Sequence, residues 1–249
     1  MNGICRIYQL GQVEYQKALD LQQKLANAIA NGSHPPTLLL LEHPHTYTLG
    51  RQAKTENLLW SSSELEQRHI AIFWTDRGGD ITYHGPGQLV GYPLLPLGMV
   101  NQLTTLNEAS NLQPDYVAYL RKLEQTMIIT LANLGIDSHP IEGMTGVWVS
   151  PIIPGEPGNL PPMKIASIGV KVDARGVSRH GFALNVNPDM RYWQGLIPCG
   201  LDGCQMVSLN SLLDPLPTMQ KVVEVVSSAF AQVFGYHIEI GTPGELNQL

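Results

Sequence analysis

The chain has 249 residues, 43% apolar and 14% charged, a composition that supports a sizeable core and excludes a disordered chain. Its formal charge of −6 offers no basic footprint, so nucleic acid and anionic membrane are poor partners. No run approaches the roughly 18 apolar residues of a membrane span, and three cysteines, an odd number, argue against a disulfide framework and for a reducing, cytoplasmic compartment.

The opening MNGICRIYQLGQVEYQ lacks the basic head and long apolar stretch of a secretory leader, and places Cys5 in a strand. Residues 13–30 read as a helix, because Ala18, Leu21, Leu25 and Ile29 recur every three or four positions. Asn31-Gly32 ends it. Residues 37–42 form a buried strand between Pro35-Pro36 and Pro44. His43 and His45 would share a face on a strand and could then form a metal pair, whereas Pro44 argues for a loop, one that lines a pocket.

Residues 70–74 are a second strand, opening onto the glycine-rich segment RGGDITYHGPGQ at 77–88. Residues 89–95 are apolar and extended. The clearest helix spans 115–134, with Val117, Leu120, Leu123, Met127, Leu131 and Leu134 along one side and Gly135 as its stop. Strands follow at 146–149, 164–172 and 181–186, and an amphipathic helix at 219–234. Between the first two of these strands lies PIIPGEPGNLPP, residues 151–162, whose prolines and glycines make it a surface loop. This irregular mixture predicts an α/β (α+β) architecture, with residues 1–249 as a single domain.

Within 77–88, Gly78, Gly79, Gly85 and Gly87 permit tight turns and close approach to a ligand, among the polar groups of Arg77, Tyr83, His84 and Gln88. A plain hairpin would also satisfy this composition. The segment is neither GxxxxGK[ST] nor GxGxxG, so it gives nucleotide binding no support.

Cys199 sits in IPCG, where flanking proline and glycine favour an exposed turn. A free thiol is only a few per cent thiolate at neutral pH, and a neighbouring ammonium raises that fraction. Lys164 heads the apolar strand KIASIGV and needs a partner for its charge. A structural cysteine and a snorkelling lysine are the plainer alternatives. Cys199 and Cys204 form C-x₄-C, but no second cysteine or histidine pair completes a metal site. His180 precedes GFALNV and faces whatever the strands enclose.

These pieces together resemble the lipoyl(octanoyl) transferase family, related to biotin and lipoate protein ligases. EHPHTYTLGR at 42–51 and RGGDITYHGPGQLVGYPLL at 77–95 are similar to its signatures. KIASIGVKV at 164–172, HGFALNV at 180–186 and IPCGL at 197–201 follow in family order. His45 stands where proline is commoner, and Cys204 is outside the pattern.

The resemblance implies a mixed β-sheet with helices packed on one side, as in biotin/lipoate protein ligases. It implies an octanoyl (or lipoyl) transfer from acyl carrier protein to a lysine of lipoyl-domain proteins, such as glycine cleavage H protein and 2-oxoacid dehydrogenase E2 subunits. No ATP or metal is expected. Cys199 would carry the acyl group as a thioester, and Lys164 would lower the thiol's pKa. Substrate would be bound by Arg77, Gly78, Gly79, Asp80, Ile81, Thr82, Tyr83 and His84. Ser167, Ile168, Gly169, Gly181, Phe182 and Ala183 would complete the pocket. Backbone N–H groups of Gly78, Gly79 and Gly169 are candidates for meeting an oxyanion. The alternative is an ATP-dependent lipoate or biotin ligase of the same fold, which would not need Cys199.

Overall fold

The first strand, β1 (Ile4–Gln12), leads through helix α1 (Tyr15–Ala30) into β2 (Thr37–Glu42). The computed structural model describes residues 3–98, 115–150, 161–201 and 203–248. Two strands, β3 (Thr46–Leu49) and β4 (Ala71–Trp74), flank a short helix α2 (Ser62–Gln67). The glycine-rich segment supplies β5 (Ile81–His84) and β6 (Gln88–Leu94). Helix α3 (Tyr116–Asn133) precedes β7 (His139–Ile141), β8 (Met144–Val149), β9 (Met163–Val172) and β10 (Ser178–Asn185). Helix α4 (Met219–Phe234) and β11 (His237–Ile240) complete the set.

Eight strands form one mixed sheet in the order β11-β1-β2-β6-β10-β9-β8-β7. Its β11/β1 and β1/β2 pairs are parallel and the others antiparallel. A small sheet, β4-β3-β5, stands beside it. Alternation in β2 sets the layering, since successive side chains of a strand point to opposite faces. Leu38 and Leu40 pack with Leu123, Met127 and Leu131 of α3 and with Val222, Val226 and Phe230 of α4. Leu39 and Leu41 pack with Ala18, Leu25 and Ile29 of α1. Helices therefore cover both faces, which corrects the expectation of a one-sided layer: β2 is apolar on each side and both sides must be buried.

Two helix ends are fixed by local caps. Asp115 caps α3 by accepting from the Ala118 N–H at 2.9 Å, and Gly235, at φ 71°, ends α4. The unanticipated α2 has a capping box between Ser61 and Glu64. Strands β3 and β5 lie in stretches read as loop or turn. All but the last two residues of the 151–162 segment lie outside the described residues. Among the described residues no helix is long and apolar enough to cross a membrane.

Candidate active site

Pro198 to Gly200 form a single tight turn in which Cys199 takes a left-handed conformation, φ 57°. The turn is closed by Gly200 N–H to the Ile197 carbonyl at 3.2 Å and by Leu201 N–H to the Pro198 carbonyl at 3.0 Å. Asp80 fixes its surroundings: one oxygen accepts from Asn57 Nδ2 at 2.5 Å, the other from the Ile81 and Lys54 N–H groups at 2.7 and 3.2 Å. A Cβ at Gly200 would collide with the Asp80 carboxylate, so the glycine is what lets the turn close on it.

Lys164 is the second residue of β9 and only 2% exposed. Its backbone is pinned to the chain beyond Cys199, through Lys164 N–H to Gln205 O at 2.8 Å and Val207 N–H to Lys164 O at 3.0 Å. Its ammonium lies 3.1 Å from the Cys199 sulfur. A buried ammonium requires such a partner, because desolvation of an unpaired charge is costly.

Cys199 lines a cleft of about 500 Å³, its mouth included. Residues 77–82 and 84, 167–169 and 181–183 line it as well, so the structure brings together nearly all the sequence-predicted binding residues. Tyr83 is placed elsewhere. The pleat of β5 turns it into an aromatic cluster with Tyr47, Tyr192 and Trp193, its hydroxyl 2.9 Å from His45 Nδ1. His45 thus serves that cluster and does not line the cleft.

Arg77 is buried and, among the described residues, makes no ion pair with a carboxylate. Its Nε and Nη2 donate to Thr48 Oγ1 at 3.2 and 2.9 Å, and Nη1 donates to the Gly78 carbonyl at 3.0 Å. Burial pushes the guanidinium below its ordinary value. The Gly78 N–H donates to the Val170 carbonyl at 2.9 Å and is not available to an oxyanion, a correction to that candidate role.

Four further residues line the cleft: Tyr15, Val90, Tyr92 and His180. Tyr92 lies within the family-like 77–95 segment and His180 heads HGFALNV, signals that were present; Tyr15, at the first turn of α1, has none. His180 Nε2 donates to Asp76 at 2.8 Å, and Arg179 pairs with the same carboxylate at 2.5 Å. The hydrogen bond from His180, with the Arg179 charge, holds Asp76 well below the usual carboxylate range against the effect of burial. Burial pushes the Cys204 thiol up to about 11, with the Lys164 charge opposing it. Among the described residues no cluster of histidine, cysteine and carboxylate side chains could hold a metal ion.

The lipoyl protein ligase A/B catalytic domain model matches residues 14–231. An octanoyltransferase of Solibacter usitatus is 43% identical over 234 residues, covering 94% of each chain. One from Acidobacterium capsulatum is 40% identical over 246 residues, covering 98% of this chain and 96% of its own. The fold is shared with a bipartite lipoate protein ligase from Thermoplasma acidophilum, with TM-score 0.70 at 16% identity over 100% of this chain and 89% of the other. A lipoate-protein ligase A solved with ATP gives 0.69 at 17%, covering 100% and 92%. The chain belongs to the lipoyl protein ligase A/B catalytic domain family.

Proposed function

We propose that this chain is an octanoyltransferase, one catalytic unit over residues 1–249, that carries the acyl group on Cys199 and delivers it to a lysine of a lipoyl domain. The observation that carries the reading is the 3.1 Å approach of the buried Lys164 ammonium to the Cys199 sulfur on the lining of the cleft. The 43% and 40% identities to octanoyltransferases support it.

In the first step the Cys199 thiolate attacks the carbonyl of octanoyl acyl carrier protein. A new S–C bond forms, the donor's S–C bond breaks, and the donor sulfur leaves as a thiol with a proton taken from the Lys164 ammonium beside Cys199, which leaves a neutral amine there. In the second step the acceptor amine attacks the Cys199 thioester. An N–C bond forms, the S–C bond to Cys199 breaks, and the amine proton passes to Lys164 or the departing sulfur. Dividing the transfer this way replaces one difficult step with two easier ones. Thioester exchange is nearly balanced and amide formation from a thioester is downhill, so no nucleotide is needed to drive the reaction.

The tail is recognised by burial. About seven carbons beyond the carbonyl, at roughly 0.8 kcal/mol each, contribute on the order of 5 kcal/mol. Apolar surface from Ile168, Phe182, Ala183 and Val90 is available to meet it. Incubation with octanoyl acyl carrier protein should add an octanoyl group to Cys199, mapped by mass spectrometry and released by hydroxylamine. Transfer at the original rate by Cys199→Ser would overturn the assignment.

A further inference from the structure

Lys164 meets more than one sulfur. Strand β8 runs antiparallel beside β9, and Trp148 stands directly across from Lys164. The register slips between Val147 and Trp148, an irregularity of the kind that re-aims a side chain at functional positions. The result places the Lys164 ammonium 5.1 Å from the centre of the Trp148 ring. That ring is buried, and its Nε1 donates to the Met144 carbonyl at 3.4 Å, which fixes its plane. Among the described residues the ammonium makes no ion pair with a carboxylate. The indole face, beside the Cys199 sulfur, is therefore a second group that offsets its desolvation.

Two residues earlier, Gly146 makes room. A Cβ there would run into Lys164 Cε and stand 3.2 Å from Nζ. Its backbone, at φ 127°, is open to glycine and strained for other residues. Glu124 of α3 holds this backbone in place: its Oε1 accepts from the Gly146 N–H at 3.1 Å, and its Oε2 from Arg121 Nη1 at 2.5 Å. A carboxylate only 2% exposed on the buried side of α3 is thus explained by the strand it anchors.

We propose that Trp148, with Gly146 and its anchor Glu124, forms the seat that holds the Lys164 ammonium against Cys199, which makes Trp148 and Glu124 positioning residues for acyl transfer. The inference rests on the acyl-enzyme reading for its kinetic part only. Alkylation of Cys199 by iodoacetamide near neutral pH reads the ammonium's placement without any acyl substrate.

The test compares Trp148→Leu with Trp148→Phe, and Glu124→Ala with Glu124→Gln. In each pair the second variant keeps the interaction, an aromatic face or a side-chain carbonyl acceptor. Trp148→Leu and Glu124→Ala should slow alkylation of Cys199 by about tenfold, between the scales of an exposed and a desolvated cation–π contact. They should lower kcat for octanoyl transfer by a similar factor and leave KM for the acyl donor within about twofold. The conservative partners should stay within about threefold of the parent in both readouts. If Trp148→Leu fails to fold, the Glu124 pair decides. Equal alkylation rates across a folded pair would overturn the seat; altered alkylation with no octanoyl transfer by the parent would retain it and overturn the reading of the substrate.

Discussion

The imidazole of His43 is held between the Tyr92 hydroxyl, 2.7 Å from its Nε2, and the Val13 carbonyl, 2.7 Å from its Nδ1. A carbonyl only accepts, so Nδ1 carries the proton and Nε2 accepts from Tyr92. One neutral tautomer is thereby fixed beneath the cleft, where His43 lies 5.7 Å from the ring of His84. Burial pushes His43 down to about 4, puts His84 well below its ordinary value, and lowers His180 despite its bond to Asp76.

The pH dependence of stability follows. In the unfolded chain imidazoles titrate near about 6.5 and take up protons as the pH falls, while the folded chain refuses them until about pH 4 at His43. Stability therefore falls on acidification between these values. His43 alone accounts for a loss on the order of 3 kcal/mol. Asp76 acts at lower pH: its contribution is present above the ordinary carboxylate range and is lost as it protonates. Melting temperatures at about pH 7.5 and about pH 4.5 check this, and an unchanged value would refute it.

The three thiols should separate by reactivity. Burial pushes Cys5 up to about 12 and Cys204 up to about 11, so both stay protonated near about pH 8. Cys199 instead has an ammonium at 3.1 Å. One equivalent of iodoacetamide should modify Cys199 alone, and Lys164→Ala should slow that modification by at least about tenfold, the scale of a stabilised thiolate. Peptide mapping that found Cys204 modified first would contradict this.

Gly169 controls the width of the cleft. A Cβ there would stand 3.1 Å from the Gly78 carbonyl oxygen and 3.3 Å from Arg77 Cδ, closer than either wall tolerates without moving. Gly169→Val should displace part of the tail. Loss of about two buried methylenes corresponds to roughly 1.6 kcal/mol, or about fifteenfold in kcat/KM for octanoyl transfer. Butanoyl transfer should change much less. Equal losses with both chain lengths would place the tail elsewhere.

What could be read in advance depended on where the determining contact lay. Thr37–Glu42 carries its own signal, an uninterrupted apolar run between prolines, and α3 carries a repeating apolar face with a glycine stop. Strand β3 carries none: Thr46 and Thr48 are buried polar residues whose place is set by partners far along the chain, Arg77 among them. The residues that line the cleft were legible as motifs, but Tyr83 shows the limit of a motif. The pleat, which the family-like segment does not display, turns it away from the cleft. Tyr15 reaches the cleft only because α1 packs across β6 and β10, a tertiary fact without a local trace.

Backbone conformation at Cys199 offers a last, separable test. Its φ of 57° lies in the left-handed region, which costs a residue bearing a Cβ roughly 1–2 kcal/mol and glycine almost nothing. The conformation aims the sulfur at Lys164 instead of relaxing into the ordinary turn. Cys199→Ala and Cys199→Gly both remove the proposed nucleophile, so neither should form an acyl-enzyme, and they differ only in the Cβ. Glycine loses about 0.5–1 kcal/mol through its greater freedom when unfolded, against the strain it relieves. Cys199→Gly should therefore match or exceed Cys199→Ala in stability by up to about 1 kcal/mol in urea unfolding. At an ordinary turn position the alanine variant would be the more stable, and that order would show that Cys199 is held without backbone strain.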